Sequence, residues 1–365
     1  MKINEILKSL EAFAPRSLQE SYDNAGLLVG NSEINCTGIL ISLDVTEAVV
    51  EEALEKNCNL IVAHHPIIFK GLKKLNGSNY VERTVISAIK NNVAIYAIHT
   101  NLDNILEGVN KKLAEKLGLK NCKVLLPKEE TLKKLVTFSP VKNAEKVRDA
   151  LFKAGAGAIG NYGECSFNME GKGTFKPYEQ SDPYVGKIGQ RHTENESRIE
   201  VIFSEFLQDE IVKSLKEAHP YEEVAYDIYS LENNREDIGS GLAGELSEPV
   251  PEEELLKNIK KAFGLSVIKH TKLLGRKISK VALCGGAGFF LLPNAMATGA
   301  DVYITSDIKY HEFFDADGKI LLADIGHFES EQFTIELIAE ILQQKFHNFA
   351  VLKTEIITNP VSYYI

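Results

Sequence analysis

Two adjacent histidines, His64 and His65, follow the short apolar run "LIVA" and stand immediately before Pro66. The run is rich in aliphatic residues, which predicts a buried strand, and open α/β sheets bind their ligands at the carboxyl ends of their strands. Two imidazoles at such an end could bind a metal ion or transfer protons. For an isolated pair, a purely structural role at the edge of the sheet is an equally good interpretation, so the rest of the chain has to decide.

Two further strand ends carry nitrogen and oxygen donors. The run "VAIYAIHTNLD" places His99 and Asp103 after the next apolar segment. Far downstream, "KILLADIGHFESE" places His327 and Glu331 four residues apart at the start of a predicted helix, where they would share one face. Glu329 lies off that face and is predicted to complement the helix dipole.

Together these positions predict a metal site whose ligands are His64, His65, Asp103, His327 and Glu331. The set mixes nitrogen and oxygen without a thiolate, which suits zinc, iron, manganese, cobalt or nickel. Five donors exceed the three protein ligands of a single catalytic zinc. We therefore predict two divalent ions about 3.5–4 Å apart, joined by a carboxylate or a water.

Other polar positions allow more than one interpretation. Asp307 and His311 are four apart after another strand and are predicted to share a helix face, with His311 either a proton shuttle or substrate contact or a buried structural histidine. Asp44 is predicted to cap the following helix, and Asp23 to form an Asx turn. The glycine-rich run "CGGAGFFL" could bind phosphate oxygens with free N–H groups, although it lacks the lysine of a P-loop.

The hydrophobic pattern predicts an α/β fold. Apolar strand-like runs alternate with segments of helical period in both the first and the last part of the chain. Between residues 130 and 243 the pattern changes to that of a small α+β domain of the split β-α-β, ferredoxin-like kind. We therefore predict a layered α/β domain with mixed sheets, formed by residues 1–129 and 244–365, that is interrupted by an inserted α+β domain at 130–243.

Composition limits the class of protein. The 365 residues are 44% apolar and suggest two or three domains, and 51 acidic against 41 basic residues give a net charge of −10 without a basic block. A nucleic-acid partner is therefore not expected. Five scattered cysteines without a C-x-x-C pair, an amino terminus unlike a signal peptide, and no long apolar stretch predict a cytoplasmic protein without a membrane segment.

The ordered motifs "YDNAGLLVG", "AHHPIIF", "HTNLD", "GGAGFF", "TSDIKYH" and "GHFESE" resemble the Nif-three-like family of dinuclear-metal proteins, the GTP cyclohydrolase I type 2 homologues. The resemblance implies that the five predicted ligands bind two metal ions and that the chain forms a toroidal homohexamer with its metal sites facing an inner cavity. Tyr22 stands where the family's first motif usually has tryptophan. The inserted domain is similar to the insertion of the longer bacterial members, which resembles CutA and PII proteins.

The resemblance also implies an activity. A metal-dependent hydrolase of this family would open the imidazole ring of the guanine base of GTP with an activated water and release formate, and His311 would then be the general acid or base. The alternatives are a metal-binding regulator or metal chaperone without this activity, a phosphodiester hydrolase, and a nucleic-acid-associated protein. The expected partners are a nucleotide or another small molecule and further copies of the chain.

Overall fold

Strands and helices alternate through most of the chain in the computed structural model, which describes residues 1–364. Within these residues the strands are β1 (Gly26–Val29), β2 (Ile39–Ser42), β3 (Leu60–Ala63), β4 (Ala94–Ala97), β5 (Lys120–Pro127), β6 (Leu132–Pro140), β7 (Phe167–Phe175), β8 (His192–Ser204), β9 (Tyr226–Ser230), β10 (Gly239–Pro251), β11 (Lys269–His270), β12 (Lys277–Leu283), β13 (Val302–Thr305), β14 (Leu321–Asp324) and β15 (Val351–Lys353). The α-helices are α1 (Ile3–Phe13), α2 (Glu47–Glu55), α3 (Tyr80–Lys90), α4 (Thr100–Asp103), α5 (Val109–Lys116), α6 (Ala144–Lys153), α7 (Gln208–Ala218), α8 (Glu252–Ala262), α9 (Leu292–Ala297), α10 (His327–Glu331) and α11 (Thr334–Lys345). Short 3-10 helices occupy Arg16–Leu18, Val141–Asn143, Glu205–Leu207, Phe289–Leu291 and Tyr310–Ala316.

The chain divides into two units, of which the first comprises residues 1–127 and the chain from residue 236 onward. It contains a five-stranded sheet of order β1-β4-β3-β2-β15 and a six-stranded sheet of order β11-β14-β13-β12-β10-β5. The strands β15, β2, β3 and β4 are parallel, as are β12, β13 and β14, while the remaining pairs are antiparallel. These mixed sheets confirm the predicted α/β fold class.

Burial explains why the parallel strands have continuous apolar sequences. Every residue of β2, β3, β4, β13 and β14 is buried, because both faces of each strand are covered. One hydrophobic cluster takes side chains from both sheets, among them Ile41, Val62, Ile304 and Leu321. The two sheets of this unit therefore share a core, which holds the ends of their strands in fixed positions.

The second unit comprises residues 128–235. Its four strands form an antiparallel sheet of order β7-β8-β6-β9, and the apolar faces of α6 and α7 complete a separate core that includes Val147, Leu151, Ile211 and Leu215. The edge strand β7 is mostly exposed, and its glycine-containing sequence has no pattern that identifies it as a strand.

The boundaries between the two units differ slightly from the predicted ones. The second junction lies at residue 236 instead of 244, since residues 239–243 belong to β10. This strand pairs with β5 on one side and with β12 on the other, so its first residues are part of the six-stranded sheet. The first junction, at 127/128 instead of 129/130, differs by two residues.

Two predicted helices also differ. The long helix expected from His327 onward is two helices, α10 and α11, separated at Gln332 and Phe333. The segment after β13 is a 3-10 helix, and Asp307 precedes it with φ 58°, so Asp307 and His311 do not share a helix face as predicted. No helix within residues 1–364 has the length and apolar character needed to cross a lipid bilayer.

Candidate metal centre

The site lies in the first unit, at the carboxyl ends of parallel strands from both sheets. His64 and His65 follow β3 directly, and their backbone N–H groups donate to the carbonyls of Ser42 and Leu43, at 3.2 and 2.9 Å. His99 follows β4 from the same sheet, whereas His327 follows β14 of the other sheet. Strand ends of both sheets therefore contribute side chains to the site.

His64 presents an imidazole nitrogen that has no hydrogen-bond partner within residues 1–364. Its Nδ1 donates to the carbonyl of Ile98 at 2.9 Å, which leaves the lone pair on Nε2. The side chain is fully buried, and Nε2 lies 3.7 Å from Asp103 Oδ1 and 3.9 Å from Glu331 Oε1. A buried lone pair that faces two carboxylates is unfavourable by itself, but it is the arrangement that a cation requires.

His65 and His327 repeat this arrangement around Glu331. Their Nδ1 atoms are hydrogen-bonded to carboxylates, His65 to Asp44 Oδ1 at 2.8 Å and His327 to Asp307 Oδ2 at 2.6 Å. The two Nε2 atoms lie 3.4 Å apart, and Glu331 Oε2 is 2.9 Å from the first and 3.1 Å from the second. Ligand atoms around one tetrahedral zinc ion are separated by roughly 3.4 Å, given metal–nitrogen bonds of about 2.0–2.1 Å.

Asp44 therefore has a different role from the predicted helix cap. The cap of α2 is Thr46, whose side chain accepts from Val49 N–H at 3.3 Å. Asp44 instead accepts from His65 through one oxygen and from the Thr358 hydroxyl, at 2.8 Å, through the other. A carboxylate bonded to the outer nitrogen of a histidine fixes its tautomer and makes the inner nitrogen a better ligand.

His99 is a fourth inward-facing histidine, which the predicted ligand set did not contain. Its Nδ1 lies 2.7 Å from Asp23 Oδ1, and the other oxygen of Asp23 accepts from the Thr100 N–H at 3.0 Å. One ligand atom each from His64, His65 and His99 lie within 4.8 Å of one another, as do those of His65, His327 and Glu331. Asp23 also accepts from the N–H of the next residue, Asn24, whereas the predicted Asx turn requires a bond from the N–H two residues on.

The electrostatics of the cluster follow from its burial and its paired charges. Burial lowers the pKa of His65, but Asp44 and Glu331 outweigh this effect and raise it to about 10. The pKa of His327 is raised to about 9, because Glu331 and Asp307 outweigh burial in the same way. Burial alone would raise the pKa of Asp23, yet His99 and Thr100 lower it to about 2. Positive charge is therefore strongly favoured at this place.

The five predicted ligands are close to one another in the structure. Glu331 lies at the middle, with Oε2 beside His65 and His327 and Oε1 on the side of His64, and Asp103 approaches His64. The i,i+4 spacing of His327 and Glu331 on α10 does place both on one face. Glu329 accepts from the side chain of Asn359 at 3.1 Å and does not take part in the cluster of ligand atoms.

A cavity of about 670 Å³ opens in front of these groups, within the first unit. His65, His99, Asp103, His327 and Glu331 line it, together with apolar walls that include Tyr22, Phe69 and Phe290. The three aromatic side chains are largely exposed. The cavity thus combines a polar, metal-ligating floor with rings that can contact a flat ligand.

His311 lies apart from this cavity. Its side chain is exposed, its ring contacts are with Tyr310 and Phe314, and it does not belong to the cavity lining. The N–H groups of the glycine-rich run are also committed elsewhere. Gly286 N–H donates to Ser330 Oγ and Gly288 N–H to Thr305 Oγ1, both at 2.9 Å, which leaves neither free for a phosphate.

Sequence reasoning missed His99 as a member of the cluster and missed its orienting carboxylate Asp23, as well as Asp44 and Asp307. Their positions in the sequence could have identified them, because all four residues lie at or beside a strand end. Position alone does not pair one strand end with another. The pairing depends on the order of the strands in the sheets, which a single sequence does not contain.

Comparison with known proteins extends the likeness over nearly the whole chain. The model of the family Duf34/NIF3 (NGG1p interacting factor 3) matches residues 1–360. Proteins named "GTP cyclohydrolase 1 type 2 homolog" from Halalkalibacterium halodurans and Bacillus subtilis are 40% and 36% identical to this chain, each over 98% of both sequences. A crystal structure of a Bacillus cereus protein related to NIF3 superposes with a TM-score of 0.86 at 38% identity, over 100% of this chain and 99% of that one.

Proposed function

The chain belongs to the Duf34/NIF3 family, and from this premise we propose that it is a metal-dependent hydrolase that opens the imidazole ring of guanine in GTP. The substrate comes from the name of the relatives, "GTP cyclohydrolase 1 type 2 homolog". The shape of this substrate matches the cavity. A purine is flat, and the cavity above the cluster has aromatic walls.

The observation that carries this proposal is the convergence of imidazole nitrogens on one carboxylate, Glu331. His64 Nε2 is the clearest case, because it is buried without a hydrogen-bond partner among the described residues. The donor set of nitrogen and oxygen fits zinc, iron, manganese, cobalt or nickel. A divalent cation held by these residues would supply Lewis-acid activation of water and of the substrate.

We propose two ions instead of one, because the two oxygens of the Glu331 carboxylate face different histidines. Oε1 points toward His64, 3.9 Å away, while Oε2 lies beside His65 and His327. A carboxylate that presents one oxygen to each ion is a common bridge in two-metal hydrolase sites. Asp103 would complete the ligands on the side of His64, where its Oδ1 lies 3.7 Å from Nε2.

We assign the general acid–base role to His99 instead of His311. His99 lines the cavity, and its Nδ1 is held by Asp23, which leaves Nε2 to accept a proton from the attacking water and to return it to the opening ring. Asp23 would stabilise the imidazolium that forms, as the aspartate does in a catalytic triad. Phe69, whose ring centroid lies 5.8 Å from that of His99, would limit the motion of this imidazole.

The experiment is a turnover assay with protein loaded separately with each of the five candidate metals. GTP is the substrate, and the released formate and the pterin product are both measured. The proposal predicts formate release, with His99→Gln lowering the rate by about 10²–10⁴-fold while the metal content is unchanged. His311→Ala is the matched control, and its rate should remain close to that of the unmodified protein.

Three results would contradict this proposal or one of its parts. Absence of formate with every metal would exclude the reaction, and stoichiometric metal without turnover would favour the metal-binding regulator instead. A rate that falls with His311→Ala but not with His99→Gln would return the acid–base role to His311.

We also propose that the chain assembles as a toroidal homohexamer, as the family resemblance implies. Light scattering should then give a mass six times the 40.5 kDa of the chain at micromolar concentration. A monomeric mass in the presence of metal would contradict it.

A further inference from the structure

A second cavity, of about 870 Å³, lies wholly within the second unit. We call it the Glu196 cavity. Residues of β6, β7 and β8 form one side, and the segments 176–184 and 221–225 form the other. Its size is in the range of small-molecule sites. The proposed function does not involve the Glu196 cavity, and binding of a ligand there is independent of that function.

A buried carboxylate forms part of this cavity's wall. Glu196, on β8, is only 8% exposed, and Tyr221 Oη donates to its Oε1 at 2.9 Å. The other oxygen lies against Gly173 of β7, where any side chain would overlap it. No lysine, arginine or histidine nitrogen within residues 1–364 lies at ion-pairing distance from this carboxylate.

The nearest arginine of the lining does not neutralise Glu196. Arg198 Nε donates to Glu200 Oε1 at 2.9 Å, and its guanidinium lies over the ring of Phe138, 5.9 Å from the centroid. The lysines of the lining, Lys172 and Lys176, have exposed side chains. Glu196 is thus a mostly buried carboxylate without a cationic partner, and a cation bound in the cavity would supply one.

Aromatic rings surround the approach to this carboxylate. The ring of Tyr221 is 5.8 Å from Phe175 and 6.2 Å from Tyr184, measured between centroids, and Phe138 and Tyr178 also line the cavity. An organic cation at this place would be attracted both by the π faces of the rings and by the negative charge of the carboxylate. The backbone N–H of Asp182 donates to Glu222 at 2.8 Å and ties the covering segment to the residues beside Tyr221.

We propose that the Glu196 cavity binds a small organic cation that carries its charge on a flat nitrogen group, such as an amidinium or a protonated aromatic amine. The cation donates to Glu196 Oε2 and contacts the rings of Tyr184 and Tyr221, whose planes are tilted by 54° to each other. This assigns a role to the run "AHPYEE", in which His219 accepts from Tyr221 N–H at 3.1 Å and donates to the Phe138 carbonyl at 3.0 Å, and so fixes the position of Tyr221.

The test uses benzamidine and its neutral analogue benzamide as probes in ligand-observed NMR titrations of the full chain. Benzamidine is expected to bind with a dissociation constant of about 1 mM and at least about tenfold more tightly than benzamide, since a charged hydrogen bond to a buried group contributes this much. Glu196→Gln should abolish the preference for benzamidine. Glu170→Gln, an exposed residue of the same cavity lining, is the matched control and should preserve it.

Tyr184→Ala provides an independent arm, because this side chain is 45% exposed and its loss should not prevent folding. It should weaken benzamidine binding more than benzamide binding, since the π face of the ring attracts the cation but not its neutral analogue. Equal affinity for benzamidine and benzamide would overturn the proposal, as would the absence of saturable binding by either probe. An equal loss in Glu170→Gln and Glu196→Gln would also overturn it, because the effect would then be one of general surface charge.

Discussion

Each histidine of the metal centre has one ring nitrogen hydrogen-bonded to an oxygen that lies outside the cluster of ligand atoms. The oxygens that accept from their outer nitrogens belong to Ile98, Asp44, Asp23 and Asp307. This common arrangement turns every inner nitrogen toward Glu331 or Asp103 and fixes its tautomer. A cluster of histidines that merely filled a core would have no reason to share one orientation, so the arrangement is the strongest chemical argument for a bound cation.

Removal of one orienting carboxylate should weaken metal binding without removing a ligand. Asp44→Ala leaves His65 free to rotate or change tautomer, and we expect metal affinity to fall by about 10–100-fold. The measurement is a competition titration with a chromogenic chelator. Glu51→Ala, at an exposed position of α2, is the control and should bind metal like the unmodified protein.

Metal affinity should also rise with pH. In the metal-free protein Asp44 and Glu331 raise the pKa of His65 to about 10, and Glu331 and Asp307 raise that of His327 to about 9, so both rings hold an extra proton near neutrality. A cation has to displace these protons, and its affinity therefore decreases as pH falls from about 8 to about 6. Titration calorimetry in buffers of different ionisation enthalpy would detect the released protons. An affinity independent of pH would contradict this.

The strand ends and donor chemistry sufficed to predict the five ligands, but not the residues behind them. An aspartate after a strand is equally typical of a helix cap, and for Asp44 that simpler interpretation was wrong. His99 had the right position, yet only its contact with Asp23, 76 residues away in sequence, shows which way its ring faces.

The loop between β12 and α9 packs against Glu331. Gly286 has φ 64°, and a side chain there would overlap Glu331 Oε1. The backbone around it is fixed by the bond from its N–H to Ser330 and by the hydroxyls of Thr305 and Ser306, which donate to its carbonyl. The glycine-rich run therefore shapes the metal centre instead of binding phosphate as the sequence suggested.

Gly286→Ala should accordingly impair metal binding more than its backbone strain explains. Gly299→Ala is the matched control, because Gly299 has φ 74° and open space around its α-carbon. Both variants should lose about 1–2 kcal/mol of stability from the left-handed conformation. Only Gly286→Ala should also lose metal affinity, which denaturant unfolding and metal titration would separate. Equal metal affinities for the two variants would show that the loop does not position Glu331.

Helical periodicity did not predict where helices break. The segment from His327 to Lys345 has a continuous amphipathic pattern, but α10 ends at Glu331 and α11 begins at Thr334. Tertiary packing decides this point, because Glu331 and Ser330 are buried in contacts with other elements whereas the pattern reports only local periodicity.

The metal centre belongs to one unit of the chain, and the inserted domain is the other unit. All the ligand atoms and their orienting residues belong to residues 1–127 and to the part from residue 236 onward. The change of texture along the sequence predicted an inserted domain at residues 130–243, whereas the second unit comprises residues 128–235. The second limit was displaced because β10 begins with glycines, which do not have a strand-like pattern.

Two deletions test this division. Removal of residues 128–235, with a short glycine–serine linker, should preserve metal binding, because Pro127 and Gly239 are partners on adjacent strands and are easily joined. Removal of 130–243 should abolish it, since the deletion takes residues 239–243 from β10 and with them most of its pairs with β5 and two of its pairs with β12. Metal content and circular dichroism of both proteins give the result. Retention of metal by the second deletion would show that β10 does not support the site.

The most direct test of the metal centre is an anomalous diffraction measurement on crystals grown with stoichiometric zinc or manganese. We predict anomalous density between His64, His65, His327 and Glu331, with nitrogen and oxygen atoms at about 2.0–2.2 Å from each peak. Density only at other places in the crystal, with these imidazoles still hydrogen-bonded to the carboxylates in front of them, would contradict the account.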